Sequence, residues 1–322
     1  MKKQKKYEKT GYIGSAGKKK GFWTRLGKDI RVNTILYLMM VPVAAYFILF
    51  NYIPMAGIQL AFKKYQIKAG IWGSPWVGLK HFERFFASYN FGSLLKNTLL
   101  ISIYSLLAGA AIPIIFSLMI NYVRSSHWKK TLQMITYLPY FISNVVLVGM
   151  LAIFLGDNGI VNVALNALGA EGIPFLSSGD LFRSVYTWSG VWQGLGFSSV
   201  IYIAALAGVD MQLHEAAIVD GASIWQRIWH IDLMEIRPTI FVVFIMGLGG
   251  VINVSYEKIL LMQNPLNLAA SEVLSTYTYK MGLINSDYGF STAVGLFNSV
   301  ISMILLFWAN RTTRKLAGYS IW

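Results

Sequence analysis

Apolar residues in this chain gather into long unbroken runs and do not alternate with polar ones. Between charged side chains there are six such runs, at residues 32–62, 97–123, 131–156, 184–209, 238–256 and 288–310. An α-helix rises about 1.5 Å per residue, so about 20 apolar residues cross the roughly 30 Å hydrocarbon core of a bilayer. The pattern predicts an all-α protein with six transmembrane helices, over about 35–61, 97–122, 131–156, 184–209, 238–258 and 288–310. The fifth run is the shortest and is expected to continue into the outer interface. Pro42, Pro54, Pro113 and Pro139 fall inside the runs. Membrane helices tolerate proline where neighbours satisfy the freed carbonyl, so these positions predict kinks. Two shorter apolar runs, 159–170 and 259–270, are expected to lie at the interface or outside the membrane.

Composition agrees. Of 322 residues, 55% are hydrophobic and 13% charged, with mean hydropathy +0.52. A soluble globular chain carries about 25% charged residues. There is no cysteine, which excludes disulfides and thiolate metal sites.

The net charge of +14 asks which side of the bilayer holds it. Of the 28 Lys and Arg residues, nineteen lie in the arm 1–34, the loop after the second span, the loop 210–237 and the C-terminus. The other nine, among them Arg183, Lys258 and Lys280, fall to the opposite side. The asymmetry predicts that both termini and the loop 210–237 face the cytoplasm, as an even number of spans requires. The arm lacks the aromatic interleaving of a nucleic-acid surface. Its basic charge suits anionic lipid, and Phe22, Trp23 and Leu26 predict a short interfacial helix before the first span.

The loop 210–237 carries a distinctive pattern. Glu215, Ala216 and Ala217 favour helix, Asp220-Gly221 breaks it, and Ser223 can cap a second helix. In that helix Ile224, Trp225, Ile228 and Trp229 form one apolar face. On physical grounds the face suits burial against the protein's own spans and docking of a partner equally well. His214-Glu215 opens an H-E-x-x-H zinc motif, but Ile218 stands where the second ligand belongs. No G-x-x-x-x-G-K-[ST] loop is present to cradle ATP phosphates in this chain.

The run Glu215-Ala216-Ala217 followed by Asp220-Gly221-Ala222 resembles the EAA loop of ABC-importer permeases. Met234 stands where that family usually has proline. Asn97-Thr98-Leu99, Tyr137-Leu138-Pro139, the stretch 201–206 and the stretch 292–297 look like the carbohydrate branch, both maltose-type subunits and lipoprotein-dependent polysaccharide permeases. The resemblance implies the type I ABC-importer permease fold, with a cytoplasmic EAA coupling helix docking an ATPase through Glu215, Ala216, Ala217, Asp220, Gly221, Ile224, Trp225 and Ile228. It implies a bacterial plasma-membrane location and four kinds of partner: a second permease, expected to be a different sister chain, two ATPase subunits, an extracellular solute-binding lipoprotein and a glycan. It implies no cofactor on this chain, with ATP and magnesium on the ATPases, and alternating access as the means of transport.

Sugars are held by aromatic faces and by amides and hydroxyls, and polar groups inside spans often line a pathway. The candidates are Asn144, Trp188, Trp192, Gln193, Ser198, Tyr202, Asn253, Tyr256, Glu257 and Asn298. Trp188, Trp192 and Ser199 share a helical face. The same residue types suit interface belts and helix–helix bonds. The alternative within transport is another solute, such as a peptide or glycerol phosphate; an anionic one would want Lys or Arg within the spans, and the absence of these favours a neutral solute. A membrane enzyme would want His, Asp or Glu converging in the spans, whereas His81, His127, His214 and His230 all fall in loops. A sensory or structural membrane protein explains the spans but not the EAA spacing.

Overall fold

The computed structural model describes residues 30–250 and 254–317. The basic arm before residue 30, with its expected interfacial helix, lies outside the described residues, as does Asn253. Among the described residues there is no β-strand, only one isolated antiparallel bridge between Lys63 and Trp76.

Two units are described separately, 1–57 and 58–322. The first contributes α1 (Thr34–Phe47), which continues through a π-helical turn, Ile48–Tyr52, into Ile53–Met55. Pro42 sits inside α1, and Pro54 follows directly on the π-helical turn.

The second unit holds α2 (Lys80–Phe86), α3 (Phe91–Asn121), α4 (Ser126–Tyr137), α5 (Asn144–Leu155), α6 (Ile160–Ala167) and α7 (Gly179–Leu206). After the loop come α10 (Arg237–Gly249), α11 (Tyr256–Met262), α12 (Leu274–Tyr279) and α13 (Tyr288–Ala317). The loop itself contains α8 (Met211–Val219) and α9 (Ile224–Arg227).

Five helical segments are long and apolar enough to cross a membrane: Thr34–Phe62, Phe91–Asn121, Asn144–Ala167, Gly179–Leu206 and Tyr288–Lys315. The sixth expected span falls within α13, and the second and fourth coincide with α3 and α7 except at their C-terminal ends, where the helices stop at Asn121 and Leu206. Two others differ from expectation. The third, placed at 131–156, breaks at Leu138–Phe141, where Pro139 starts a 3₁₀ turn. Ser143 then caps α5 by accepting from Val146 N. The break makes this proline the end of a helix and not a kink within one. The fifth, placed at 238–258, divides into α10, only 13 residues long, and α11. Gly249-Gly250 ends α10, as glycines do where a helix stops.

α3 is the spine of the second unit. Leu94 packs with Phe85, Leu274, Phe290 and Val294 at one end. Ile101 packs with Phe182, Tyr186, Ile259 and Val273, and Leu118 with Leu206 and Ile236 at the other end. Against α7 the contact is made by small polar groups. Ser105 Oγ lies 3.1 Å from Thr187 Oγ1, and Ser117 Oγ donates to the Ser199 carbonyl at 3.2 Å. Small residues let membrane helices approach closely where lipid supplies no hydrophobic drive. Gly196 of α7 is the tightest case: a Cβ there would overlap the Thr136 carbonyl.

Candidate functional site

The loop 210–237 is built by caps. Asp210 starts α8 by accepting from Gln212 N at 2.9 Å. The helix ends in a Schellman turn, with Gly221 N donating to Ile218 O at 3.0 Å and Ala222 N to Ala217 O at 2.8 Å. Gly221 has φ of +75°, the left-handed region that only glycine enters freely. Ser223 and Gln226 then close a capping box: Ser223 N donates to Gln226 Oε1 at 2.7 Å, and Gln226 N to Ser223 Oγ at 3.4 Å. The helix–turn–helix expected from Asp220, Gly221 and Ser223 is formed at those residues.

One feature differs. After α9 the chain widens into a π-helical turn, Ile228–Asp232. Ile228 packs inward against the cluster of Leu118, Leu206 and Ile236. Ile224, Trp225 and Trp229 stay outside, with Trp225 79% exposed. The single apolar face expected for these four residues is therefore divided, one inward and three outward. Glu215, Ala216, Asp220 and Gly221 are exposed and Ala217 is half-buried.

The inward side is anchored by a buried polar cluster. Asp232 is fully buried; Tyr122 Oη donates to its Oδ2 at 2.7 Å, and His214 Nε2 lies 3.3 Å from its Oδ1. The Arg227 guanidinium stands 5.8 Å from the Tyr122 ring centroid. The cluster joins α8, the π turn and the end of α3. Sequence reasoning missed it. The available signal was an acidic residue, Asp232, between Ile231 and Leu233. His214 was considered only as half of a zinc motif; its ring faces this carboxylate. Met234 lies in a short helical turn, Leu233–Glu235, and α10 starts with Pro238 in its first turn.

Midway along α7 a cavity of ≈ 290 Å³ opens between α3, α5, α7 and α11. Ser105, Asn144, Thr187, Gln193, Ser198 and Lys258 supply its polar lining. Asn144 Nδ2 donates to Glu257 Oε2 at 2.7 Å, and Gln193 Nε2 to the Ile142 carbonyl at 2.7 Å. Three of the sequence candidates, Asn144, Gln193 and Ser198, thus line this cavity, and a fourth, Glu257, is bonded to Asn144 without lining it. Lys258, counted from the sequence with the outer loops, is only 4% exposed and lines the cavity.

The other candidates lie elsewhere. Trp188 and Trp192 line a separate apolar recess of ≈ 570 Å³ with Leu147, Met150 and Phe154. The Trp188 indole donates to Tyr104 Oη at 2.8 Å. Ser199, on their face by helical period, is covered further along by α3 through Ser117. Tyr202 is buried, 2% exposed. Tyr256 stacks on Tyr279 with centroids 5.4 Å apart, and Asn298 is half-buried on α13.

The family described as "Binding-protein-dependent transport system inner membrane component" matches residues 114–318. The chain belongs to that family. As a member it is a multi-pass membrane permease, a transport subunit whose ATP hydrolysis is carried out on a separate subunit. The permease is 40% identical over 281 residues to Protein LplB of Bacillus subtilis (strain 168), covering 87% of this chain and 88% of that one. It is also 40% identical over 288 residues to the Polygalacturonan/rhamnogalacturonan transport system permease protein YteP of the same organism, covering 89% and 90%. Among solved structures it is similar to a bacterial ABC transporter involved in the import of the acidic polysaccharide alginate. The TM-score is 0.84 at 39% identity, over 91% of this chain and 99% of that one. The type I permease fold implied by the EAA run therefore holds across nearly the whole chain, and α8, α9 and the part of the cavity built by α5, α7 and α11 fall inside the family match.

Proposed function

We propose that this permease is one of two membrane subunits of an ATP-driven importer that carries an oligosaccharide from an extracellular binding lipoprotein into the cytoplasm. Both termini and the loop 210–237 face the cytoplasm of a bacterial cell. The observation that carries this reading is the loop. Its inner side is pinned by Asp232, while Glu215, Ile224, Trp225 and Trp229 are left exposed around a glycine turn. An exposed apolar patch with a rigid mount is what a docking surface needs. ATP and Mg²⁺ bind on two ATPase subunits docked there, and the other membrane subunit is a sister chain. The relatives named for polygalacturonan, rhamnogalacturonan and alginate support a polysaccharide-derived solute.

Within the permease, Asn144, Gln193 and Ser198 are the glycan contacts, because they gather on one cavity, and Glu257 positions Asn144. Trp188 and Trp192 offer an apolar wall on the neighbouring recess. The test is gentle purification from the native membrane followed by mass spectrometry, and then uptake in proteoliposomes. Recovery of an ATPase, a second permease and a lipoprotein, with ATP-dependent glycan uptake, is the expected result. Recovery of the chain alone in several detergents would return the sensory alternative.

A further inference from the structure

We propose that the cavity at Lys258 is a carboxylate subsite, so that the solute is an acidic oligosaccharide bearing uronate groups. The inference rests on the reading of this chain as a glycan permease and goes on to assign the chemical class of its solute.

Lys258 stands on α11 with its side chain directed at α7. Its Nζ donates to the Tyr186 carbonyl at 3.0 Å and lies 4.8 Å from the Tyr186 ring centroid. Gly190 makes room for it: a Cβ there would come within 3.2 Å of Nζ. No carboxylate lies within ion-pair distance of Lys258 among the described residues. The three ion pairs found there are Arg84–Asp287, His214–Asp232 and Lys280–Glu272. The adjacent Glu257 forms no ion pair with it and accepts instead from Asn144 Nδ2 at 2.7 Å.

An ammonium has three donors, and one acceptor within the protein satisfies one of them. A buried cation without a counter-charge is unfavourable, and inside a membrane such a group marks a substrate path. The other polar side chains on the cavity, among them Ser105, Asn144, Thr187, Gln193 and Ser198, are neutral and suit sugar hydroxyls. A neutral lining with one cation matches a sugar ring that carries one carboxylate. The bond it would make is charge-assisted and stronger than one to a hydroxyl.

A structural strut from Lys258 to α7 would use the same bond to Tyr186, and the experiment separates the two roles. The complete importer, with its sister permease, ATPases and lipoprotein, is reconstituted in proteoliposomes. Uptake is measured for oligogalacturonate and oligoalginate, each as the free acid and as the methyl ester. Wild type is compared with Lys258→Gln, which keeps a donor for Tyr186, and with Lys258→Arg, which keeps the charge. The lipoprotein is common to all, so its own preference cancels in each variant-to-wild-type ratio.

Removing a hydrogen bond to a charged group implies that the acid-to-ester uptake ratio falls by about tenfold or more in Lys258→Gln and is retained in Lys258→Arg. An equal fall for acid and ester in Lys258→Gln would reduce Lys258 to a strut and overturn the subsite, leaving the importer standing. Wild-type uptake of esters or neutral oligosaccharides alone would overturn it as well. Failure of the wild type to take up any oligosaccharide would reject the importer reading itself. Should Lys258→Gln fail to assemble, binding of free acid and of ester to the wild-type membrane and ATPase subunits without the lipoprotein decides. Tighter binding of the acid is expected, and equal binding overturns the subsite.

Discussion

Gly221 gives the sharpest handle on the coupling loop. It holds φ at +75°, and nothing lies within 4 Å of where a Cβ would stand. Alanine there meets no clash, only the backbone penalty of the left-handed region, about 1–2 kcal/mol. That is a factor of roughly 5–30 in the population of the formed turn. If the ATPase binds only the formed turn, its apparent affinity falls by the same factor. Proline is different in kind. Its ring fixes φ near −65° and removes the N–H that bonds Ile218 O at 3.0 Å. The penalty, about 3 kcal/mol or more, exceeds a hundredfold in population. The assay is glycan uptake and binding-protein-stimulated ATPase activity in proteoliposomes, with thermal unfolding in detergent as a check on the spans. Gly221→Ala is expected to weaken coupling in a way that added ATPase restores. Gly221→Pro is expected to abolish it with the melting temperature nearly unchanged. Normal coupling in the proline variant would refute the reasoning, and so would equal damage from alanine and proline.

Three other substitutions probe the frame. Gly196→Ala drives a Cβ into the Thr136 carbonyl; overpacking against backbone costs about 1–3 kcal/mol, and an unchanged melting temperature would disprove the close approach. Asp232→Ala strands Tyr122 Oη and the His214 ring, at about 1–3 kcal/mol for each buried group left unpaired. Faster amide exchange over 211–235 is expected there, and native protection would show that the cluster does not hold the loop. Asn162 bonds the Gly156 carbonyl and both backbone groups of Ile173. Asn162→Ala is expected to open the segment 157–178 to protease several-fold faster, and an unchanged digestion rate counts against that role.

The parts of this permease legible in sequence are those fixed by local chemistry. Uncharged runs marked four of the five long apolar segments closely, because lipid admits no free backbone polar group. The turn at Asp220-Gly221-Ser223 was legible because glycine and serine have narrow backbone roles there. What escaped reading depends on tertiary placement. The break at Pro139 looked like a kink, since sequence does not show that Ser143 caps a new helix. The π turn at Ile228–Asp232 has no periodic signature, so Ile228 was assigned to the wrong side. Lys258 was counted as an outer-loop cation because its place at a span's end conceals that α11 folds its side chain onto α7. Asn144 and Glu257 are 113 residues apart, and only the fold brings them together.

The central claim is that the loop face docks an ATPase. The chain has no cysteine, so one introduced thiol is unique. We would place it at Trp225, 79% exposed on the loop, and at Tyr89, 98% exposed beyond the opposite end of α3, as a control. Each variant, labelled with a thiol-directed photo-crosslinker in native membranes, would be analysed by mass. The account predicts an adduct of the permease with an ATPase from Trp225→Cys and none from Tyr89→Cys. An adduct with lipid or with the permease itself at Trp225→Cys, and no ATPase, would contradict it.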